Sequence, residues 1–349
     1  MTELGADLGR IRLKNPIVCA SSEFTMTLEG IRAALDAGAG AVVAKSVNEA
    51  PGAARQLDIA DYVMLDASWT VTPWEQAGLD ASLFCRSGLA QTPLDEWLAM
   101  LVRADAEARA RDAYVAGSIT VAEAEPAARF AAAMEAAGLR WIELNLSTPH
   151  GREAAGGAVR QLSDAEAVHT YVSAVRAATT LPLTVKLTAQ TGDPIALAER
   201  ALAAGADMLV LTGRLQGFMP DIETMRPILG SAGAIGGRWA LPLTLYWISK
   251  CFRTLPPGTP LLATNGVRLG DDVVRALLSG ARGVEVASAV LTRGAGAIAE
   301  MLAGLEAYCS RKGISRLDEI VGRAAGTALG YGAVPLKKRA SYPWDSLIG

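Results

Sequence analysis

The stretch from Glu143 to Gly151 runs an apolar segment straight into Asn145, Ser147, Thr148 and His150, with Pro149 and Gly151 fixing a turn. Trp141 to Leu146 reads as a strand, and polar side chains at the C-terminal end of a strand in an α/β chain sit where such folds place their chemistry. Asn145 offers donors and an acceptor, Thr148 a hydroxyl and His150 a ring nitrogen, a set that can fix a planar, amide-like ligand. Taken one at a time, these residues read more readily as turn and surface-loop residues. Two lysines change the balance. Lys45 ends Val42-Val43-Ala44 and Lys186 ends Leu183-Thr184-Val185, both apolar runs. A lysine in a buried strand is costly unless it meets an anion or hydrogen-bond acceptors. One could snorkel outward; two at matched strand ends predict a site that neutralises a ligand of negative character.

Two further strand ends are built of small residues. One reads Ala263-Thr264-Asn265-Gly266, the other Val286-Ala287-Ser288-Ala289. Small residues there let backbone N–H groups approach a phosphate, and a following helix N-terminus adds a favourable dipole. The same residues also suit a tight turn with no ligand.

The elements that must position these residues follow from one recurring phrase, in which a helix ends in Ala or Ser followed by Gly and an apolar strand begins. It occurs at Ala37-Gly38, Ala137-Gly138, Ala204-Gly205 and Ser279-Gly280. The glycine supplies the left-handed residue that closes a helix, and short unalternating apolar strands suit a parallel sheet buried on both faces. Candidate strands lie at 15–20, 41–45, 113–118, 141–146, 182–187, 207–212, 260–264 and 283–287. Helical patterns lie at 27–37, 93–110, 121–137, 163–178, 194–204, 240–253, 270–279 and 293–312. Eight such units in one domain spanning 1–349 predict a (β/α)8 TIM barrel. The competing doubly wound sheet is weakened by the lack of a GxGxxG after the first strand. Two connections, 47–92 and 213–239, are too long for simple loops and are expected to cover the C-terminal face. A tail, 313–349, carries Lys337-Lys338-Arg339 and Tyr342-Pro343-Trp344.

A net charge of -3 with mixed signs gives no electrostatic case for nucleic acid or an anionic membrane. Cys19, Cys85, Cys251 and Cys309 form no CxxC pair, and two histidines are too few for a typical zinc site, so no metal is expected. Scattered cysteines, no signal-peptide pattern and no long apolar run give the expectation of a soluble, cytoplasmic protein.

The motif Asn145-Leu146-Ser147-Thr148-Pro149-His150 resembles the Asn-Leu-Ser-Cys-Pro-Asn/His loop of the dihydroorotate and dihydropyrimidine dehydrogenase family, FMN-dependent (β/α)8 barrels. Other pieces fall in the same order over about 15–310. Asn15 to Ser21 resembles the family's first strand, which would bring Ala20 and Ser21 to FMN. Ala44-Lys45-Ser46 resembles the second strand, and Val185-Lys186-Leu187 the lysine beside the flavin N1/O2 edge. Ala234-Ile235-Gly236-Gly237 resembles the glycine-rich FMN loop. Asn265, Gly266, Ala287 and Ser288 stand at the phosphate-binding ends.

The resemblance implies an oxidoreductase that moves hydride between flavin N5 and a small planar substrate, a cyclic amide or a carboxylate-bearing ring. Thr148 and Lys186 would be catalytic, with Lys45, Arg86, Ser87, Asn145, His150 and Thr212 on the substrate. Lys45, Ser46, Asn145, Lys186, Thr212, Gly236 and Gly237 would also contact FMN. Three departures stand out. Thr148 occupies the base position, where the family has Cys or Ser; a threonine hydroxyl does not ionise near neutrality, unlike a thiol with a pKa of ~8.5. Arg86 stands where Asn is expected, a guanidinium fork suited to a carboxylate. Thr212 stands where a substrate-binding Asn is usual. With neither an iron–sulfur cysteine cluster nor a nicotinamide domain in the sequence, the chain resembles the stand-alone soluble branch, commonly a homodimer. Electrons would then pass to a small molecule or to a partner not encoded here. Two other readings stay open at this stage. One is an aldolase or isomerase on a phosphorylated substrate with Lys45 or Lys186 as a Schiff-base lysine. The other is a flavin-binding protein without turnover.

Overall fold

The computed structural model describes residues 2–48, 56–89, 92–120, 122–148, 163–337 and 342–348. Eight parallel strands close into a barrel: β1 (Ile17–Cys19), β2 (Ala41–Val43), β3 (Tyr114–Thr120), β4 (Ile142–Asn145), β5 (Leu183–Leu187), β6 (Met208–Leu211), β7 (Leu261–Thr264) and β8 (Gly283–Val286). Each pairs with its neighbours in chain order, and β8 returns to β1 with Glu285 opposite Val18. The sequence expectation of a (β/α)8 barrel is borne out. Gly38, Gly138, Gly205 and Gly280 take φ of 98°, 89°, 100° and 110°, the left-handed closure that the recurring phrase requires.

Outer helices are α1 (Leu28–Asp36), α2 (Leu94–Arg109), α3 (Ala124–Ala136), α4 (Ala165–Ala178), α5 (Pro194–Ala203), α6 (Leu241–Thr254), α7 (Gly270–Leu278) and α8 (Gly296–Lys312). The single helix expected at 293–312 begins later, because Gly294 at φ 72° separates α8 from a short helix, Ser288–Arg293.

Strand parity divides the core in two. Ile17, Val42, Val115, Leu144, Val185, Leu209 and Val284 point outward and pack with helix residues such as Ile31, Leu101, Met134 and Ile298. The opposite parity fills the barrel itself. At the bottom lie Val18, Val43, Ala116, Trp141, Val210 and Leu262, sealed by the N-terminal hairpin of Ala6–Asp7 with Arg12–Leu13. Further along the same parity Ser118, Glu143 and Thr184 lie side by side, and beyond them Lys186 lies opposite Asn145, with Glu285 on β8 and Lys45 after β2 also buried. The barrel changes from apolar to charged along its own axis.

The two long connections join. Leu215–Gly217, Gly233–Gly236, Ser82–Arg86, Asp61–Leu65 and Val71–Thr72 form one antiparallel five-stranded sheet, contributed by the insertions after β2 and after β6. Its own small core holds Met64, Leu83, Cys85 and Ala234 on one face and Leu65, Phe84 and Leu229 on the other. Sequence reading expected covering loops; the pairing between them is a finding of the structure. Among the described residues no helix is long and apolar enough to cross a membrane, and no cluster of three potential metal ligands occurs.

Candidate active site

Between the strand ends and the lid sheet lies a cavity of about 640 Å3. It is lined by Ala20, Ser21, Lys45, Ser46, Arg86, Ser87, Asn145, Thr148, Lys186, Gly236, Asn265, Gly266, Ala287 and Ser288, so residues chosen from scattered positions in the sequence meet in one place. Its size falls in the range of about 300–1,000 Å3 usual for cofactor and ligand pockets.

Thr212 and Gly237 do not line it. Thr212 takes φ 68°, and its Oγ1 lies 2.7 Å from Leu211 O and Thr244 Oγ1 and 2.8 Å from Thr264 O. That hydroxyl ties β6, β7 and α6 together, which corrects the expectation that it meets a ligand. Gly237 is wedged against the lid: an added Cβ would lie 2.7 Å from Ser82 Oγ. His150 lies outside the described residues.

Sequence reasoning missed Glu23, Arg214 and Glu285, which also line the cavity, and Glu143 beneath it. Glu23 follows β1 in a short turn, and its Oε1 accepts from Lys45 Nζ at 2.6 Å and from the lid's Tyr62 hydroxyl at 2.7 Å. Burial works against its charge, but Lys45 and Arg214 outweigh it and hold the Glu23 carboxyl down at about 2. Burial also lowers the pKa of Lys45, with Glu23 opposing. Arg214 donates to Cys85 Sγ at 2.5 Å and to Ser87 Oγ at 3.0 Å. Burial keeps the Cys85 thiol up and neutral despite that neighbour.

Arg86 lines the cavity, as expected, and is also tied to the two insertions. Its Nε donates to Ile59 O at 2.6 Å, and its Nη1 donates to Leu229 O and Ser231 Oγ, both at 2.7 Å. The guanidinium borders the cavity while bracing the two insertions against each other.

On the floor, Lys186 Nζ lies 2.5 Å from Glu285 Oε2 and 3.8 Å from Glu143 Oε2. Burial disfavours the ammonium, but Glu143 and Glu285 more than compensate and raise its pKa. Burial and the neighbouring Glu143 push the Glu285 carboxyl up to about 8, against Lys186.

At the end of β4, Asn145 Oδ1 accepts from Ser147 N at 3.0 Å and Ser147 Oγ at 2.9 Å, which turns the amide's Nδ2 end away as a donor. Thr120 Oγ1 and Thr148 Oγ1 both line the cavity and are buried with no hydrogen-bond partner among the described residues. Unpaired buried hydroxyls are uncommon and mark places where a ligand completes the bonding. Opposite them, Gly266 takes φ 93°, and an added Cβ there would lie 2.4 Å from Leu241 N. At Gly236 the added atom would lie 2.8 Å from Asn265 Oδ1. Only glycine leaves the backbone open at these turns.

Residues 76–308 match the family model of dihydroorotate dehydrogenase. The chain belongs to that family. Its similarity extends to named relatives, all catalytic subunits of the NAD(+)-dependent dihydroorotate dehydrogenase B. The protein of Methanosarcina mazei is 30% identical over 316 residues, 90% of this chain and 93% of that one. That of Pyrococcus furiosus is 31% identical over 319 residues, 91% and 97%. That of Methanothermobacter thermautotrophicus is 36% identical over 185 residues, 52% and 60%. Dihydroorotate dehydrogenases are flavin-dependent oxidoreductases acting on a CH–CH bond. The relatives' names describe a subunit of a larger enzyme rather than the stand-alone form that the sequence motifs resemble. The cavity fits a flavin in this family: a charged lysine on the floor, unpartnered hydroxyls on one wall and glycine-opened backbone on the other.

Proposed function

We infer that the chain is an FMN-dependent oxidoreductase acting on a CH–CH bond of a small planar substrate, a cyclic amide or a carboxylate-bearing ring. The observation that carries this reading is Lys186, held charged by two buried carboxyls at the base of a cavity whose far wall is the open backbone of Asn265–Gly266 and Ala287–Ser288. Those small residues would hold the cofactor phosphate, with Ala20, Ser21, Ser46 and Gly236 beside the rest of the molecule. Bound FMN would supply the hydride exchange with a substrate carbon.

Everything else falls to the chain's side chains. Lys186 would stabilise negative charge on the ring edge, in a site where water is excluded and a fixed charge acts strongly. Asn145, Ser87 and Lys45 would orient the substrate, and Thr148 Oγ1 would hold or pass the proton of the adjacent carbon, alone or through a water. Glu23 would fix Lys45, and Arg214 adds a second cation to the same wall. Electrons would leave to a partner subunit, as the relatives' names suggest, or to a small acceptor, and a homodimer is the expected assembly. A Schiff-base reading would need a neutral lysine, whereas Lys186 is held charged and Lys45 is ion-paired with Glu23.

Purified protein should be yellow, or should take up FMN when refolded with it, and should bleach anaerobically on adding a substrate such as dihydroorotate. Colourless protein that takes up no FMN would overturn the cofactor assignment; bound FMN that no such substrate bleaches would overturn the reaction.

A further inference from the structure

Three buried ionisable side chains meet at the cavity floor: Lys186 on β5 and Glu285 on β8, which line it, and Glu143 on β4 beneath them. If all were charged, the cluster would carry one net negative charge in a site out of reach of bulk water, the arrangement that raises one carboxyl of a close pair. Hydrogen bonding within the cluster leaves two gaps. Glu143 Oε1 accepts from Ser118 Oγ at 2.9 Å, and Glu285 Oε2 meets Lys186 Nζ at 2.5 Å. Among the described residues Glu143 Oε2 and Glu285 Oε1 have no hydrogen-bond partner, although Lys186 Nζ stands 3.8 Å from Glu143 Oε2. Both acids are almost fully buried, Glu143 at 0% and Glu285 at 1% exposure. A single proton on Glu285 Oε1, donated to Glu143 Oε2, closes both gaps at once and brings the cluster to zero net charge.

We propose that Glu143 and Glu285 are an acid pair sharing one proton at neutral pH, and that this pair is the positioning device that keeps Lys186 charged and directed toward an anion in the cavity. The first part stands on the barrel's own geometry; the second rests on the cavity being the flavin site. Other groups around the pair do not supply the missing charge. Cys19 on β1 is a buried thiol pushed up to about 12 by burial and by Glu285, so it is neutral. Lys45 is taken by Glu23, and Arg214 by Cys85 and Ser87. The pair also has a route to the cavity other than Lys186. From Glu143 a line of hydroxyls runs through Ser118 to Ser46 at 2.8 Å and Ser21 at 3.1 Å, and the last two line the cavity. A proton can therefore enter or leave the pair without the barrel opening.

Infrared spectroscopy of the unliganded protein tests the shared proton. Wild type at neutral pH should show a protonated-carboxyl C=O band that shifts in D2O. Glu285→Gln and Glu143→Gln should each abolish it, because the acid that remains in either variant is ionised beside Lys186. Absence of the band from wild type would overturn the pair, and so would its survival in either single variant. Its presence or absence in wild type decides the matter even where a variant fails to fold. FMN titration then tests the role. Wild-type affinity should fall as the pair ionises from neutral to alkaline pH, while Glu285→Gln, fixed in the neutral form, should stay flat over that range. Equal slopes would overturn the link to Lys186. Failure of either protein to bind FMN at any pH would instead reject the cofactor reading and leave the infrared result to stand alone.

Discussion

Tyr62 of the lid donates its hydroxyl to Glu23 Oε1 at 2.7 Å, and the same oxygen accepts from Lys45 at 2.6 Å. One carboxylate thus holds the lid sheet to the barrel rim and fixes the cavity lysine.

That arrangement makes stability depend on acid pH. Glu23 is held down at about 2, below its ordinary 4.5, so its contribution is fully present above pH 4.5 and is lost as pH falls toward 2. Glu23→Gln should remove this limb of the pH–stability curve and cost about 1–3 kcal/mol at neutral pH, because Lys45 keeps a buried charge with a weaker partner. Denaturant unfolding from neutral pH down to acid measures both. A variant with the wild-type acid limb would show that Glu23 does not carry it.

Thr148 should separate stability from activity. Its hydroxyl is buried without a hydrogen-bond partner among the described residues, so Thr148→Val loses no hydrogen bond to them and should match or exceed wild-type thermal stability. If the hydroxyl handles the substrate proton, turnover should fall about 10²–10⁴-fold. Thr148→Cys should restore turnover with a new alkaline dependence near the thiol pKa of ~8.5. Unchanged turnover in the valine variant would assign proton transfer elsewhere.

How much of this was legible from the chain differs by element. The barrel was, because Gly38, Gly138, Gly205 and Gly280 each close a helix before an apolar strand, and that signal is local. Lys45 and Lys186 stood out as charges in apolar runs. The same argument applies to Glu143 and Glu285, which share their inward parity, and it was available in Trp141-Ile142-Glu143 and Val284-Glu285-Val286. The lid sheet was not legible, since Ser82–Arg86 pairs with Gly233–Gly236 across some 150 residues and no local pattern encodes that partner. The bonding of Thr212 and Arg86 was not legible for a related reason. A left-handed φ at Thr212 and carbonyls gathered around Arg86 are products of tertiary structure.

Lys186→Met tests the charge at the cavity floor. The methionine keeps most of the volume, and the two acids left behind can neutralise by holding protons, so the fold should survive at neutral pH. FMN affinity should drop tenfold or more, equivalent to about 1.4 kcal/mol. Stability should also fall more steeply above pH 4.5 than in wild type, where Glu285's raised carboxyl contributes fully below pH 4.5 and loses that contribution as pH rises through about 8. Equilibrium titration with FMN, alongside unfolding at neutral and alkaline pH, reads the two effects separately. Wild-type FMN affinity in Lys186→Met would remove this residue from the cofactor site.

Arg86 and Arg214 can be told apart by selectivity. Arg86 spends its Nε and Nη1 on Ile59 O, Leu229 O and Ser231 Oγ, so Arg86→Gln should loosen the lid, lower stability by about 1–3 kcal/mol, and weaken carboxylate-bearing and neutral ring ligands alike. Arg214 lies on the cavity wall, its cation facing Glu23, Tyr62 and the neutral Cys85 thiol among the described residues, so Arg214→Gln should weaken the carboxylate-bearing ligand selectively, by tenfold or more. Calorimetric titration of both variants with a matched pair of ligands, one carrying the carboxylate and one its amide, gives the ratio directly. Selective loss in Arg86→Gln, with none in Arg214→Gln, would return the carboxylate to Arg86, where the sequence alone had placed it.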